Sequence, residues 1–407
     1  MVGGEPASPL VSGMPVPCPI RCRRPVRGGF LPILGVAQAG PPVRRSARLL
    51  ATLAVGGWAL GACAAPPPVV VPPTPAASSA PPPIRWPVRT APHVDLWLHG
   101  LAMLRADSAV VPLYRRGYRD SLVVVRNQAG ITTRLDALRD SLARRMAVRG
   151  YLTAEFVPFA FGGWTELQAT VERVVQVDGD PRRTGERGAA VAAAFPTAAD
   201  RGWLRDFLEA LADEQARFLG AEYQRQLRAR QAVITAVDSL WQRHYRPRLE
   251  RYLNNTGQRQ GELLLVLPVG GEGRMAPGRE GRTVVAVPFP GRVEDAVEVV
   301  YVAAHEVTAP LVAQVVADHT TPAERRSGEE DRRVALGQVQ AGAELLQGVA
   351  PELVDGYRAY YLRQAGERAA AMATAPQRTA RFAARFPLPE AITVAIRRQV
   401  ALVLGGI

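Results

Sequence analysis

The chain contains no lysine: all 50 of its basic residues are arginine. A phosphate-binding G-x-x-x-x-G-K-[ST] loop is therefore excluded, and glycine-rich stretches such as VGGEGR and GREGR carry no nucleotide-binding meaning of that kind. Cysteine is almost as scarce, with Cys18, Cys22 and Cys63 as the whole complement. A core built by a disulfide framework is thus ruled out, and no serine stands in a nucleophile elbow. Histidine is limited to five residues, so every metal or acid–base reading draws on His93, His99, His244, His305 and His319. The net charge of +13 invites a nucleic-acid reading, but seven arginines and only one glutamate precede Cys63, which places nearly half of that excess ahead of it. Beyond it, arginines and carboxylates interleave in DEQARFLGAEYQRQLRAR and GEEDRR, as on solvated helix faces rather than in a basic patch, and no nucleic-acid partner is expected.

What is present is most informative in VRRSARLLATLAVGGWALGACAAPPP. Arg44, Arg45 and Arg48 precede an apolar run from Leu49 to Leu60, which is short for a membrane span and ends in Leu60-Gly61-Ala62-Cys63. This order resembles the signal peptide and lipobox of bacterial lipoproteins. The resemblance implies cleavage before Cys63, acylation of that cysteine and a lipid anchor. With Ala64 rather than aspartate next, it also implies the periplasmic side of the outer membrane. Residues 1–62 then form an upstream extension plus signal peptide, and a start at Val43 would put the arginines at the N-terminus. The proline-dense stretch from 63 to 92 reads as an extended tether.

Periodicity divides the remainder. Residues 93–255 read as a helical subdomain: VDLWLHGLAMLR places Leu96, His99 and Met103 on one helical face, and TTRLDALRDSLARRMAVRG repeats apolar residues at three and four. Asp95 and His99 form an i, i+4 pair, read as a structural hydrogen bond rather than a catalytic dyad. Trp97, Trp164, Trp203 and Trp241 read as packing residues. From 256 to 407 the period changes. Leu263 to Leu267 and Thr283 to Val287 are strand-like runs, either a hairpin or two neighbouring strands. One long helix is expected from Val293 to Asp318, and helices follow to the C-terminus. The fold class expected is α+β, predominantly helical, with a short strand pair beside the helix that carries His305 and Glu306.

That helix reads VVYVAAHEVTAP. Strands followed by a His-Glu helix resemble the zincin fold of metallopeptidases, over about Gly261 to Gly366. The resemblance implies zinc held by two histidines of H-E-x-x-H, with the glutamate activating water and, in gluzincins, a third ligand from a glutamate on a later helix. Carried over, His305 is the first metal ligand, Glu306 the catalytic base and Glu344 in QAGAELLQ the third ligand. Ala309 stands where the second histidine belongs and coordinates nothing. His319 lies fourteen residues beyond His305, roughly 21 Å along a continuous helix. Tyr357, Tyr360 and Tyr361 line a cleft or simply pack between helices.

Three readings stay open. The chain is a zincin-like lipoprotein with an eroded site that binds a peptide or an envelope partner. Alternatively it is an active zinc peptidase with an atypical ligand set. As a third possibility it is an unrelated helical lipoprotein whose His305 is a hydrogen-bonded core residue. The missing ligand favours the first.

Overall fold

The computed structural model describes residues 85–405, except 106–108, 150–151, 368 and 370–371. Cys63 and most of the tether lie outside the described residues. The rest is predominantly helical, organised around one mixed sheet of four strands in the order β1-β2-β4-β3. β1 is Val88–Arg89, β2 Gly261–Val266, β3 Arg274–Pro277 and β4 Thr283–Pro288. The two expected strands are neighbours, but they run parallel, Gly261 opposite Thr283 through Val266 opposite Pro288. The Gly-rich stretch between them carries the edge strand β3, antiparallel to β4.

The sequences GELLLV and TVVAVP lack a polar face because the sheet has none. Successive side chains of a strand point to opposite faces. Leu264, Val266, Val284 and Ala286 accordingly enter one core with the helices Pro92–Leu104, Arg134–Arg149, Trp164–Gln176 and Ala198–Glu214. Leu263, Leu265, Val285 and Val287 enter a second core with the helices from Gln231 onward. The first core is centred on Trp203, which stacks on Phe207 at 4.8 Å and on Phe195 at 5.9 Å, with Trp97 edge-on to Phe207. Trp97, Trp203 and Trp241 are buried packing residues, each with its indole N–H on a backbone carbonyl.

Two boundaries read from sequence move. Residues 86–92 belong to the fold rather than to the tether: Trp86 is 1% exposed, donates to the Gln258 carbonyl, and leads into β1. The helices Gln231–Leu240 and Arg246–Asn255 pack with the C-terminal half, so a division at 255/256 would cut through the second core. Gly261 is needed where Trp86 crosses β2, since a Cβ there would stand 2.6 Å from both the Thr283 carbonyl oxygen and the indole ring.

The first helix is buried on all sides, from His93 to Leu104. Asp95 and His99 do not bond each other there. Asp95 Oδ1 accepts the Leu267 N–H at 2.7 Å, which ties the helix to the end of β2. His99 lies between the Tyr118 hydroxyl and Glu214, and Glu214 also accepts from Arg126 and Thr133. Burial pushes the Asp95 carboxyl up to about 8, against the pull of the Leu267 N–H, Arg230 and Tyr223.

Between the ordinary value of 3.8 and about 8 the unfolded chain releases a proton that the folded chain keeps. Rising pH through that window therefore removes stability, by at most ~1.4 kcal/mol per pH unit. Asp95→Asn should escape this loss, so its urea midpoint relative to the parent should climb steadily across that range. A pH-independent difference would show that Asp95 does not hold its proton in the fold.

Candidate functional site

The apolar run VVYVAAHEV forms the helix Val297–Val307, which packs against β4 and the second core. The helix expected over 293–318 runs through Val293–Asp318 with a one-residue break in its bonding at Thr308. A 3-10 turn, Val293–Ala296, leads in, and the helical stretch Ala309–Asp318 follows Thr308. Pro310 explains the break: it has no N–H for the Glu306 carbonyl, and its ring crowds that turn. Side chains satisfy the carbonyls around the break. Thr308 Oγ1 donates to the His305 carbonyl at 2.7 Å, and the amide of buried Gln258 donates to the Val307 carbonyl at 2.9 Å.

His305 and Glu306 both lie in the interior, 1% and 3% exposed. They bond each other, His305 Nδ1 to Glu306 Oε1 at 2.9 Å. The imidazole stacks on Tyr361, ring centres 5.3 Å apart at 22°, and the Tyr361 hydroxyl donates to the Gly271 carbonyl at 3.1 Å. The loop before β3 thus lies directly on the pair. Gly273 has φ +70°, and a Cβ there would come within 2.5 Å of Val302 Cγ1 and 2.9 Å of Glu306 Cγ. The tyrosines are packing residues: Tyr357, Tyr360 and Tyr361 are buried together, and the Tyr357 hydroxyl donates to the Val339 carbonyl.

Sequence reading missed the charges next to this pair. Arg274, at the start of β3, bridges Glu155 at 2.8 Å and Glu272 at 3.0 Å, and Arg105 also binds Glu155. Burial works against the Arg274 charge, but Glu272, Glu155 and Glu306 outweigh it and hold the guanidinium charged. Burial also pushes the Glu272 carboxyl up, with Arg274 pulling it back and Glu306 and Glu155 adding to the rise. The only signal in the sequence was the pairing of Glu272 and Arg274 within VGGEGRM; Glu155 comes from a distant segment.

The remaining residues expected at a metal centre are elsewhere. Glu344 is partly exposed on the helix Glu329–Val349 and pairs with Arg397 at 3.3 Å. His319 Nδ1 bonds the Val315 carbonyl at 2.8 Å, and His93 Nε2 the Phe161 carbonyl at 3.0 Å. Ala309 opens the helix after the break and offers no donor atom. Among the described residues, no three His, Cys, Asp or Glu side chains converge closely enough to hold a metal ion. His305 Nδ1 is engaged by Glu306, and Glu344 is paired with Arg397.

Removing Arg274 leaves Glu155 and Glu272 facing Glu306 without their common cation. Arg274→Met should lower unfolding stability by about 2–4 kcal/mol, because breaking a largely buried ion pair strands its partners. Adding Glu272→Gln in the same chain should recover part of the loss, and a urea-unfolding cycle would measure the coupling. No protein-family model matches the chain, and neither a curated protein nor a solved structure matches it.

Proposed function

We propose that this chain is an exported lipoprotein, acylated at Cys63 and held at the periplasmic side of the outer membrane. Its folded part is a zincin-like helix-and-sheet unit that binds a peptide or an envelope protein and performs no zinc-dependent cleavage. The observation that carries the second half is that Ala309 has no donor side chain where a second histidine would stand, with Glu344 paired with Arg397. A catalytic zinc needs three protein ligands and an open position for water. Among the described residues no three His, Cys, Asp or Glu side chains form such a set. The edge strand β3 supports the binding role: among the described residues β4 is its one hydrogen-bonded strand neighbour, and an extended peptide would add along its other side. The lipid anchor rests on the run of arginines, apolar residues, small residues and cysteine before the tether.

Protein purified without chelators should contain far less than stoichiometric zinc, and added zinc should leave its melting temperature unchanged. Stoichiometric zinc that disappears on His305→Ala would restore the peptidase reading. For the anchor, Cys63→Ala should abolish incorporation of labelled fatty acid and leave an unprocessed or released protein. Labelling that persists in the variant would remove the lipoprotein assignment.

A further inference from the structure

Two enclosed arginines among the described residues each gather two carboxylates. Arg126 binds Glu214 and Asp136, and Arg274 binds Glu155 and Glu272. Arg115 and Arg230 instead converge on a single backbone oxygen. Arg115 Nη2 donates to the Phe289 carbonyl at 2.7 Å and Arg230 Nη1 donates to the same atom at 2.9 Å. These are the protein hydrogen bonds of both guanidinium groups among the described residues. A guanidinium carries five N–H groups, so most of the donors on each are uncommitted. Burial disfavours both charges, and the proximity of Arg115 adds to the cost at Arg230.

Neighbouring carboxylates offset this only from a distance, Glu298 at Arg115 and Asp95 and Glu222 at Arg230. Glu222 is engaged by Arg225 and Gln226, and Glu298 by Arg363. Asp95 faces Arg230 from the first helix, but burial keeps its carboxyl protonated up to about pH 8. The Asp95 carboxyl and the Tyr223 hydroxyl are buried beside each other, next to Arg230. Asp95 and Tyr223 are 2% and 5% exposed. Two buried polar groups and two cations with no direct carboxylate bond among the described residues therefore occupy one place.

That place is the carboxyl end of the parallel strands. Arg115 follows the short bridge between Tyr114 and Val269, and its N–H binds the Pro268 carbonyl just past β2. Phe289 follows β4, and Asp95 holds the N–H of Leu267 after β2. Arg230 comes from the junction of the helices Gly220–Ala229 and Gln231–Leu240. Crevices outside the carboxyl ends of parallel strands are where open helix-covered sheets bind ligands.

We propose that Arg115 and Arg230 form an oxyanion-binding site at this end of the sheet, taking one carboxylate or phosphate group between their forks. Arginine forks match the paired oxygens of both groups, and a second cation supplies the remaining oxygen or charge. The ligand provides the direct counter-charge that neither guanidinium bonds in the fold, with the Asp95 carboxyl beside Arg230. The site is separate from His305 and Glu306, so it stands whether or not the reading above does.

The test uses the full chain, titrated in turn with inorganic phosphate and with succinate, and with sodium chloride at matched ionic strength. One or both oxyanions should bind saturably by calorimetry and raise the melting temperature beyond the chloride control. Phosphate alone, succinate alone or both would assign the source. Arg115→Gln and Arg230→Gln should each weaken binding at least ~10-fold, while Arg397→Gln on the exposed helix Glu390–Val403 leaves it unchanged. If a variant fails to fold, the parent protein answers through phenylglyoxal modification read by mass spectrometry, in which the bound oxyanion should shield Arg115 and Arg230. Absence of saturable binding by either oxyanion overturns the proposal, as does binding that persists unchanged in both folded variants. The two arginines would then act only as clamps on the end of β4.

Discussion

The constraint on which this fold depends is that β2 and β4 are parallel and apolar on both faces. Such a pair exposes two hydrophobic surfaces, and each must be covered by helices. Leu263 and Leu265 go one way, Leu264 and Val266 the other, and the two cores grow from those opposed rows. The chain supplies the cover in sequence order with one crossing. Helices before Gly220 cover one face, and those from Gln231 onward cover the other. Trp86 and β1 stitch the start of the folded chain into the sheet, with Trp241 and Gln242 donating to the Trp86 carbonyl.

A fold with so many apolar surfaces places its polar groups in a few buried networks. With arginine as the only basic residue type apart from histidine, those networks are built on planar, multidentate donors. Arg126 gathers Glu214 and Asp136 beneath the first helix, while Arg274 gathers Glu155 and Glu272 beside β3. His305 and Glu306 share the same logic on a smaller scale: each supplies the other's partner, and Tyr361 and Gly273 close over them. An interior carboxylate without a partner would be costly. The pair therefore has a structural reason to persist that asks nothing of a metal. Arg115 and Arg230 break this pattern, and a ligand is the simplest counter-charge for them.

The sequence by itself determined the parts that depend on local pattern. The apolar runs at Leu263 and Thr283 read as strands, and Leu96, His99 and Met103 fell at helical spacing. Predominantly helical α+β architecture followed from those periods. Absence of a donor at Ala309 was equally legible, because no fold gives alanine a coordinating atom. What only tertiary structure decided is which distant groups meet. Strand direction was one such matter, since a continuous apolar run marks burial on both faces without fixing how its neighbour runs, and β3 held too few residues to announce itself. The placement of Glu344 against Arg397, of Glu155 against Arg274, and of two arginines on the carbonyl of Phe289 was another. Each joins residues dozens or more positions apart, and side-chain periodicity carries no information about such pairs. They are fixed by how the helices cross the sheet.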